Sequence, residues 1–316
     1  EFQDQNREGR SMTKKAVITY AAEGRGQEDA EYAELYEAVC SNTKASYPGL
    51  IEQKNNRIFL YQLSEMRGNL IQWIPFEGTE HILELGAGAG ALTELFVQRG
   101  ASVDAIEPSV TLAECNAVRN GEASNLRLFA GNLSQAVIEW DCLKPQSYDV
   151  IVLVGALERP DALMGRPSTQ SEVLALAGKY LKPDGRLIVS MTNRFGLKYW
   201  AGCADTQGTY FGEIEGSGSR TVSGGRTRQE FLTLLETAGF TEHSMYYPYP
   251  DWDFMNVLYS DEYLPDEGEL RTNLRNYDAD RYLLFDERKV YGTLLKEGTY
   301  PMYANAFLVI ASKGRK

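Results

Sequence analysis

The segment His81-Ile-Leu-Glu-Leu-Gly-Ala-Gly-Ala-Gly-Ala-Leu-Thr-Glu-Leu95 decides the fold of this 316-residue chain. Its apolar start, residues 82–85, is typical of a buried strand, and a turn with glycines at positions 86, 88 and 90 follows it. Apolar residues then recur at helical spacing. A strand, a glycine-rich turn and a helix open a nucleotide-binding βαβ unit, in which small residues let a ligand approach the backbone and the helix N-terminus offers free amide hydrogens.

The glycine spacing alone leaves the kind of nucleotide open. Gly86, Gly88 and Ala91 also fit the dinucleotide pattern G-x-G-x-x-G/A, so a nicotinamide or flavin site is an alternative. Glu84 discriminates between the two, because a carboxylate inside a buried strand needs a polar partner. The run Glu84-Leu-Gly-Ala-Gly-Ala-Gly90 resembles the first motif of class I methyltransferases, which bind S-adenosylmethionine. The resemblance implies that the methionine part of that cofactor contacts Glu84, Gly86, Ala87, Gly88 and Gly90.

Three later strand ends complete the predicted cofactor site. Glu107, followed by Pro108, ends the next strand about 20 residues beyond the glycines, where a carboxylate can accept from both ribose hydroxyls. A solvated acid at a strand end is the alternative role of Glu107. The resemblance implies that Asn132 and Leu133, after the third strand, hold the adenine. The apolar run from Tyr148 is typical of a central parallel strand, and its end places Val154 and Gly155 at the carboxyl edge.

The resemblance extends to the segment before the fifth strand. Residues 181–189 read Leu-Lys-Pro-Asp-Gly-Arg-Leu-Ile-Val, and the similarity as a whole covers roughly residues 80 to 192. It implies an α/β fold with a doubly wound, mostly parallel seven-stranded sheet, N-terminal helices and an insert before the last strand. We therefore expect a tag or disordered terminus (1–12), a helical cap (13–80), a Rossmann-like core (81–192) and, within the same domain, a lid, last helix, strand pair and insert (193–316).

Spacing predicts further elements outside the motifs. Helices are expected over 28–40, 51–74, 171–181, 227–238 and 286–296, and strands over 186–192, 242–247 and 305–312. The region 193–225 has no regular period. Long irregular segments in compact domains are usually functional, so we expect a substrate lid there.

The candidate catalytic and acceptor-binding residues follow the fourth and fifth strands. Glu158 lies beyond the fourth strand and is a candidate for orienting or deprotonating the acceptor, although a polar loop residue is an equally good interpretation. Asn193 and Arg194 leave the fifth strand toward the site. Tyr199, Trp200 and Tyr210 are candidates for acceptor binding, with packing as the alternative. The fifth-strand exit lacks the aspartate that a metal-assisted mechanism needs, so no metal is predicted.

Composition limits the partners of the protein. The formal net charge is -12 and the pI about 4.9, which disfavours nucleic acid and anionic membrane. No apolar run is long enough to span a bilayer, and the four cysteines are irregularly spaced, so we expect a cytoplasmic protein, with a homodimer as a candidate assembly.

The residues and the resemblance together predict an S-adenosylmethionine-dependent methyltransferase. Its acceptor would be a small molecule or a glycan, methylated at oxygen or nitrogen. The alternatives are an NAD(P)-dependent oxidoreductase and a non-catalytic, S-adenosylmethionine-binding regulatory protein.

Overall fold

The computed structural model describes residues 15–22, 27–205, 208–216, 224–272 and 281–314. The predicted tag or disordered terminus, residues 1–12, lies outside these ranges. Two parts of the predicted lid, 206–207 and 217–223, lie outside them as well.

One mixed sheet of nine strands forms the centre of the described chain. In chain order its strands are β1 (Val17–Tyr20), β2 (His81–Leu85), β3 (Ser102–Glu107), β4 (Leu126–Ala130), β5 (Tyr148–Leu153), β6 (Leu181–Thr192), β7 (Glu242–Tyr249), β8 (Val257–Ser260) and β9 (Ala306–Ser312). Their order across the sheet is β1-β4-β3-β2-β5-β6-β9-β7-β8. The strands from β1 to β6 are parallel, and the pairs β6–β9, β9–β7 and β7–β8 are antiparallel.

The α/β class is confirmed, but the expected seven-stranded sheet is wrong. Two short edge strands account for the difference. β1 lies inside the segment predicted to be a helical cap and pairs with β4, while β8 lies in the insert and pairs with β7. Four-residue strands give too little alternation to be found from sequence, because their formation depends on an edge partner supplied by the folded sheet.

Helices cover both faces of the sheet. They are α1 (Ala33–Ser41), α2 (Tyr47–Lys54), α3 (Arg57–Leu63), α4 (Thr93–Gln98), α5 (Val110–Arg119), α6 (Leu133–Glu139), α7 (Pro160–Met164), α8 (Gln170–Tyr180), α9 (Leu197–Trp200), α10 (Gly212–Glu215), α11 (Arg228–Thr237), α12 (Glu287–Lys296) and α13 (Tyr300–Tyr303). Short 3₁₀ turns lie at Gln27–Tyr32, Lys44–Ser46, Glu65–Leu70 and Ala156–Glu158. Within the ranges just given, no helix has the length and apolar character needed to cross a bilayer.

The single long helix predicted over 51–74 is wrong. The segment is broken into α2, α3 and a 3₁₀ turn, because polar residues cap each piece. Asn55 adopts a left-handed conformation with φ 44°, and the Asn56 side chain accepts from the Phe59 N–H at 3.0 Å. Ser64 then caps the 3₁₀ turn through the N–H of Met66, at 3.2 Å. Asx and Ser side chains at such positions end or restart helices.

Side chains alternate between two cores along the central strands. Leu83 and Leu85 pack into the core on one face of the sheet, and Ile82 packs into the core on the other. A third core, around Phe59 and Leu63, joins the N-terminal helices to Ala89 of the glycine turn and to α5. This packing fixes the cap over the carboxyl edge of the parallel strands, which is where open α/β sheets bind ligands.

Candidate functional site

The glycine turn closes tightly between β2 and α4. Gly86 and Gly88 have φ of 75° and 54°, in the left-handed region. A Cβ at Gly86 would lie 2.7 Å from the Cβ of Ala156, and one at Gly88 would lie 2.8 Å from the Oε1 of Gln62. Conformation and space therefore both require glycine here.

Glu107 ends β3 directly beside the glycine turn. One carboxylate oxygen accepts the N–H of Gly88 at 2.7 Å, and the other accepts the N–H of Ser109 at 2.9 Å. The residue is only 6 % exposed. Each oxygen can accept further hydrogens, since a carboxylate offers about four acceptor positions. The contact of Glu107 with the ribose hydroxyls stays a prediction.

Glu84 is buried in β2 beneath the turn. Its Oε2 accepts the hydroxyl of Thr93 at 2.6 Å, and the Thr93 oxygen in turn accepts from Asn116 at 2.9 Å. Burial raises the pKa of Glu84 to about 8, with the Thr93 hydrogen bond opposing the rise and the charge of Glu107 adding to it. A cationic ligand group beside Glu84 would favour its ionised form.

Arg67 is a site residue that sequence reasoning missed. It belongs to the 3₁₀ turn of the cap and is 6 % exposed. Its guanidinium lies 3.6 Å from the ring centroid of Tyr61. Among the described residues its Nε is buried and has no hydrogen-bond partner. Nothing in the sequence around position 67 distinguishes it from other surface-type arginines, because its burial comes from the folded cap.

A cleft of about 360 Å³, a volume that includes solvent at its open mouth, joins Glu84, Arg67 and the glycine turn, and Glu107 adjoins it through its bond to Gly88. Its lining is drawn from the cap, the glycine turn and the end of β5, and comprises Tyr61, Gln62, Arg67, Glu84, Leu85, Gly86, Ala87, Gly88, Ala91, Leu92 and Val154. Five of the predicted cofactor residues, Glu84, Gly86, Ala87, Gly88 and Val154, are thus brought to one pocket.

Gly90 packs against the Asn116 side chain and is not among the residues that line the cleft. A Cβ on it would lie 2.4 Å from the Asn116 side-chain oxygen, and its φ is 82°. Pro108 continues the chain from Glu107 toward α5. The contacts of these two residues with a cofactor stay predictions.

Gly155 meets an aromatic residue from the insert. A Cβ on Gly155 would lie 2.5 Å from the Trp252 ring, so glycine is required where this ring crosses the end of β5. The Trp252 indole donates to the hydroxyl of Thr192 at 3.0 Å. Trp252 therefore lies against the ends of both central strands, β5 and β6, although it is 60 residues away from the nearer one in sequence.

Glu158 lies behind this tryptophan. It is 7 % exposed, and its Oε1 accepts the backbone N–H of Thr192 at 2.6 Å. Burial raises the pKa of Glu158 to about 7, against hydrogen bonds from Thr192. The contact anchors the loop after β5 to the end of β6. Its predicted part in catalysis stays a prediction.

Asn193 and Arg194 are both engaged within the protein. The Asn193 amide donates to the carbonyls of Met302 and Ala304 at 2.8 and 2.7 Å, and the residue is fully buried. Arg194 forms an ion pair with Glu230 at 3.0 Å. These contacts hold the start of the predicted lid against α11 and α13. Any direct contact with an acceptor stays a prediction.

The predicted adenine residues start α6. The Asn132 side-chain oxygen accepts the N–H of Gln135 at 2.9 Å and caps the helix. Leu133 is 1 % exposed and packs in the core of one sheet face. The helix cap uses one of the two lone pairs of the Asn132 side-chain oxygen, and contact of Asn132 and Leu133 with adenine stays a prediction.

The lid aromatics divide into buried and exposed residues. Tyr199 is 4 % exposed, whereas Trp200 and Tyr210 are 39 % and 38 % exposed. Trp200 donates to the carbonyl of Phe195 at 3.2 Å, and the Tyr210 ring lies 5.0 Å from that of Tyr282. Tyr199 is thus packed in the interior, while Trp200 and Tyr210 are partly exposed to solvent. Acceptor binding by these three residues stays a prediction.

We expect Trp200→Ala to lower the free energy of unfolding by less than about 1 kcal/mol, because much of the ring is exposed. Tyr199→Ala, one position earlier and buried, should lower it by roughly 3–5 kcal/mol. Denaturant unfolding of both variants measures the difference. A comparable loss in both would place Trp200 in the core and remove the lid interpretation.

The described residues hold no group of three or more His, Cys, Asp or Glu side chains suited to a metal ion. His81 lies at the opposite end of β2 from the glycine turn, where it contacts Asp104.

The chain belongs to the methyltransferase family: residues 51–244 match the family described as "Methyltransferase domain". The predicted membership of the class I S-adenosylmethionine-dependent methyltransferases, and with it the cofactor class, is confirmed.

Curated relatives are similar over the central part of the chain. A ubiquinone biosynthesis O-methyltransferase of Saccharophagus degradans is 27% identical over 136 residues, which cover 43% of this chain and 53% of that protein. A protein of the same name from Idiomarina loihiensis is 29% identical, over 38% of this chain and 44% of its own length. The chain spans about half the length of the curated relatives it matches.

A solved structure is also similar. The S-adenosylmethionine-dependent methyltransferase of Archaeoglobus fulgidus aligns with a TM-score of 0.49 at 16% identity, over 84% of this chain and 100% of that one.

Proposed function

We propose that this protein transfers the methyl group of S-adenosylmethionine to a hydroxyl of a small molecule. The observation that carries the proposal is the charge arrangement along one pocket. Glu84 and Arg67 line the pocket with the glycine turn, and Glu107 adjoins it through the N–H of Gly88.

The amino-acid end of the cofactor is complementary in charge to Glu84 and Arg67. It carries an ammonium and a carboxylate, which are complementary to a buried carboxylate and a buried guanidinium. Arg67 supports this fit, because its Nε lacks a partner within the described chain and a buried, unpaired donor is costly. Gly86 and Gly88 carry no side chain, and a Cβ at either position would crowd Ala156 or Gln62. The bare backbone of the turn lets a ligand approach closely.

The same arrangement disfavours a dinucleotide. A pyrophosphate at the turn would place negative charge near Glu84, and like charges at close range are destabilising. The family match agrees with this exclusion of the oxidoreductase alternative.

A hydroxyl acceptor is proposed from the relatives. Those described above are named O-methyltransferases, but they are similar over about half their length only. A small molecule also suits a pocket covered by the cap and by Trp252, where a polymer has little access.

The bound cofactor supplies the reactive methyl group. The protein's residues bind and orient it: Glu107 would accept from the ribose, and Glu84 and Arg67 would fix the amino-acid end. Trp252 and the cap would exclude water from the ends of β5 and β6. Holding two reactants in line removes much of the entropic barrier of a displacement.

Calorimetric titration with S-adenosylhomocysteine and with NAD tests the cofactor assignment, and we expect binding of the first only. Mass spectrometry then tests transfer, with catechol, benzylamine and methyl glucoside as probes of phenol, amine and sugar acceptors. A mass gain of one methyl on catechol alone is the expected result. Binding without transfer to any probe would favour the regulatory alternative.

Arg67→Ala should weaken S-adenosylhomocysteine binding roughly tenfold to hundredfold, since a charge-assisted hydrogen bond is lost. 5′-Methylthioadenosine lacks the amino-acid part, so its affinity should change less than about twofold. Calorimetry of both ligands with both proteins gives the comparison. An equal loss for the two ligands would show that Arg67 supports the pocket and does not bind the carboxylate.

A further inference from the structure

The insert after β7 carries an aspartate that none of the motifs predicts. Asp253 follows Trp252, the ring that lies against Gly155 at the end of β5. Trp252 also meets Tyr61 of the cap edge to face, with ring centroids 6.2 Å apart. Tyr61 lines the pocket, so the insert and the cap meet at its wall.

Arg57 holds Asp253 in a fixed orientation. Its guanidinium donates to the Asp253 Oδ2 at 3.0 Å, across 196 residues of sequence. The Asp253 side chain is 14% exposed. Its other oxygen, Oδ1, is buried and has no hydrogen-bond partner among the described residues. One carboxylate oxygen is therefore paired, the other has no hydrogen bond, and the charge acts on the pocket through the neighbouring Tyr61 and Arg67.

Three cations and one other acid act on the Asp253 carboxylate, and the other acid, Asp251, is already paired. Arg57 and Arg67 are cations that act on Asp253, and Lys198 is a third. Lys198 is already paired with Asp251 in a short ion pair. The positive charges of the two arginines would repel a cationic ligand centre unless Asp253 offsets them.

Other nearby acids are committed elsewhere. Glu158 is bound to the backbone of Thr192, and Glu84 is bound to Thr93.

The chemistry of the methyl donor identifies the cation. Its sulfur is bonded to both the ribose and the amino-acid chain. It would therefore lie between Glu107, proposed to hold the ribose, and the two residues Glu84 and Arg67, proposed to hold the amino-acid end. The pocket between these groups is lined by the glycine turn, the end of β5 and Tyr61, and Trp252 packs against Tyr61 and Gly155. A sulfonium there is positive and has no hydrogen to donate, and aromatic faces favour such cations.

We propose that Asp253 is a specificity-determining residue that favours the positively charged sulfonium donor over its neutral thioether product. The inference rests on the proposed function. It gives the insert a role in turnover, because the product loses the attraction of Asp253 when the methyl group leaves and is released more readily.

Comparing the two ligands isolates this effect. S-Adenosylmethionine and S-adenosylhomocysteine share the ammonium, the carboxylate and the ribose, and Glu84, Arg67 and Glu107 are present in every variant, so their contributions cancel when the affinity ratio of a variant is compared with that of wild type. Only groups that sense the charge on sulfur change the ratio.

The experiment is calorimetric titration of the full chain with both ligands, for wild type, Asp253→Asn and Asp261→Asn. Asp261 is a matched control, since it lies in the same insert and pairs with Arg228 at 2.8 Å. We expect Asp253→Asn to weaken S-adenosylmethionine binding roughly tenfold and S-adenosylhomocysteine binding less than about twofold. Asp261→Asn should leave the ratio unchanged, and Asp253→Glu should restore most of it.

The pH dependence gives a second readout. Burial raises the pKa of Asp253, and the nearby Asp251 raises it further against Arg57, Arg67 and Lys198. A cation binds the ionised carboxylate, so the preference for S-adenosylmethionine should decline as pH falls through that pKa. In Asp253→Asn the affinity ratio should be independent of pH.

The outcomes separate the two proposals. If wild type binds both ligands and Asp253→Asn leaves their ratio and its pH dependence unchanged, the role of Asp253 is overturned while the proposed function stands. If wild type binds neither, the proposed function itself fails. Should Asp253→Asn show a lowered melting temperature, Asp253→Glu decides: a retained ratio supports the charge, and a lost ratio contradicts it.

Discussion

Glu107→Ala is expected to lower the affinity for S-adenosylhomocysteine by about a hundredfold or more. Two hydrogen bonds from ribose hydroxyls to a charged acceptor would be lost, each contributing about 1.5–3 kcal/mol. The change would also release the N–H of Gly88, which Glu107 holds at 2.7 Å, so the glycine turn would lose its fixed shape. Isothermal titration measures the affinity.

Two further variants test the role of the charge and serve as a control. Glu107→Gln keeps one acceptor oxygen but loses the charge, so its affinity should be intermediate. Glu122→Ala removes an acid whose side chain is 83% exposed, and it should bind as wild type does. Wild-type affinity in a folded Glu107→Ala protein would show that the ribose binds elsewhere.

The glycine turn and Glu107 were predictable because their signals are local. Residues 82–90 specify a strand and a turn within one short segment, and the backbone of the turn admits only glycine at 86 and 88. The position of Glu107 follows from the spacing of a βαβ unit. Short-range backbone preferences therefore give the fold class and the glycine turn on which the proposed pocket is built.

The opposite wall of the pocket was not predictable. Arg67, Tyr61 and Trp252 come together only when the cap packs on the insert, and the Arg57–Asp253 contact spans 196 residues. Their sequence neighbourhoods show no motif. Glu158 and Asn193 illustrate the reverse case: their positions at strand ends suggest chemistry, whereas the structure shows them bonded to backbone. Position along a strand does not determine which side-chain atoms remain available.

Asp104→Ala is expected to destabilise the protein by about 1–3 kcal/mol, because the buried hydroxyl of Tyr148 loses an acceptor, whereas the Arg127 side chain is 40% exposed and can be hydrated. Asp104 lies fully buried in β3, at the edge of the sheet away from the cofactor pocket. It accepts from the guanidinium of Arg127 twice at 2.6 Å, from the hydroxyl of Tyr148 at 2.7 Å, and contacts the ring of His81 at 3.0 Å. Alanine would leave these donors without an acceptor. Denaturant unfolding at neutral pH measures the loss.

The pH dependence distinguishes the charge of Asp104 from its volume. Burial raises the pKa of Asp104, but hydrogen bonds from His81, Arg127 and Tyr148 outweigh burial and hold it below its usual range. The folded pKa is lower than the unfolded one, so the stabilisation is complete above about pH 4 and is lost as pH falls through the folded pKa. The stability difference between wild type and Asp104→Asn should therefore shrink in acid.

Asp184→Ala serves as the comparison, because Asp184 is an exposed aspartate near the start of β6. This substitution should lower the free energy of unfolding by less than about 0.5 kcal/mol at any pH. Cofactor affinity should be unchanged in all folded variants, since Asp104 lies on the far side of the sheet from Glu107. A stability gap that stays constant from pH 7 to pH 3 would mean that the packing of Asp104, and not its ionised carboxylate, stabilises this end of the sheet.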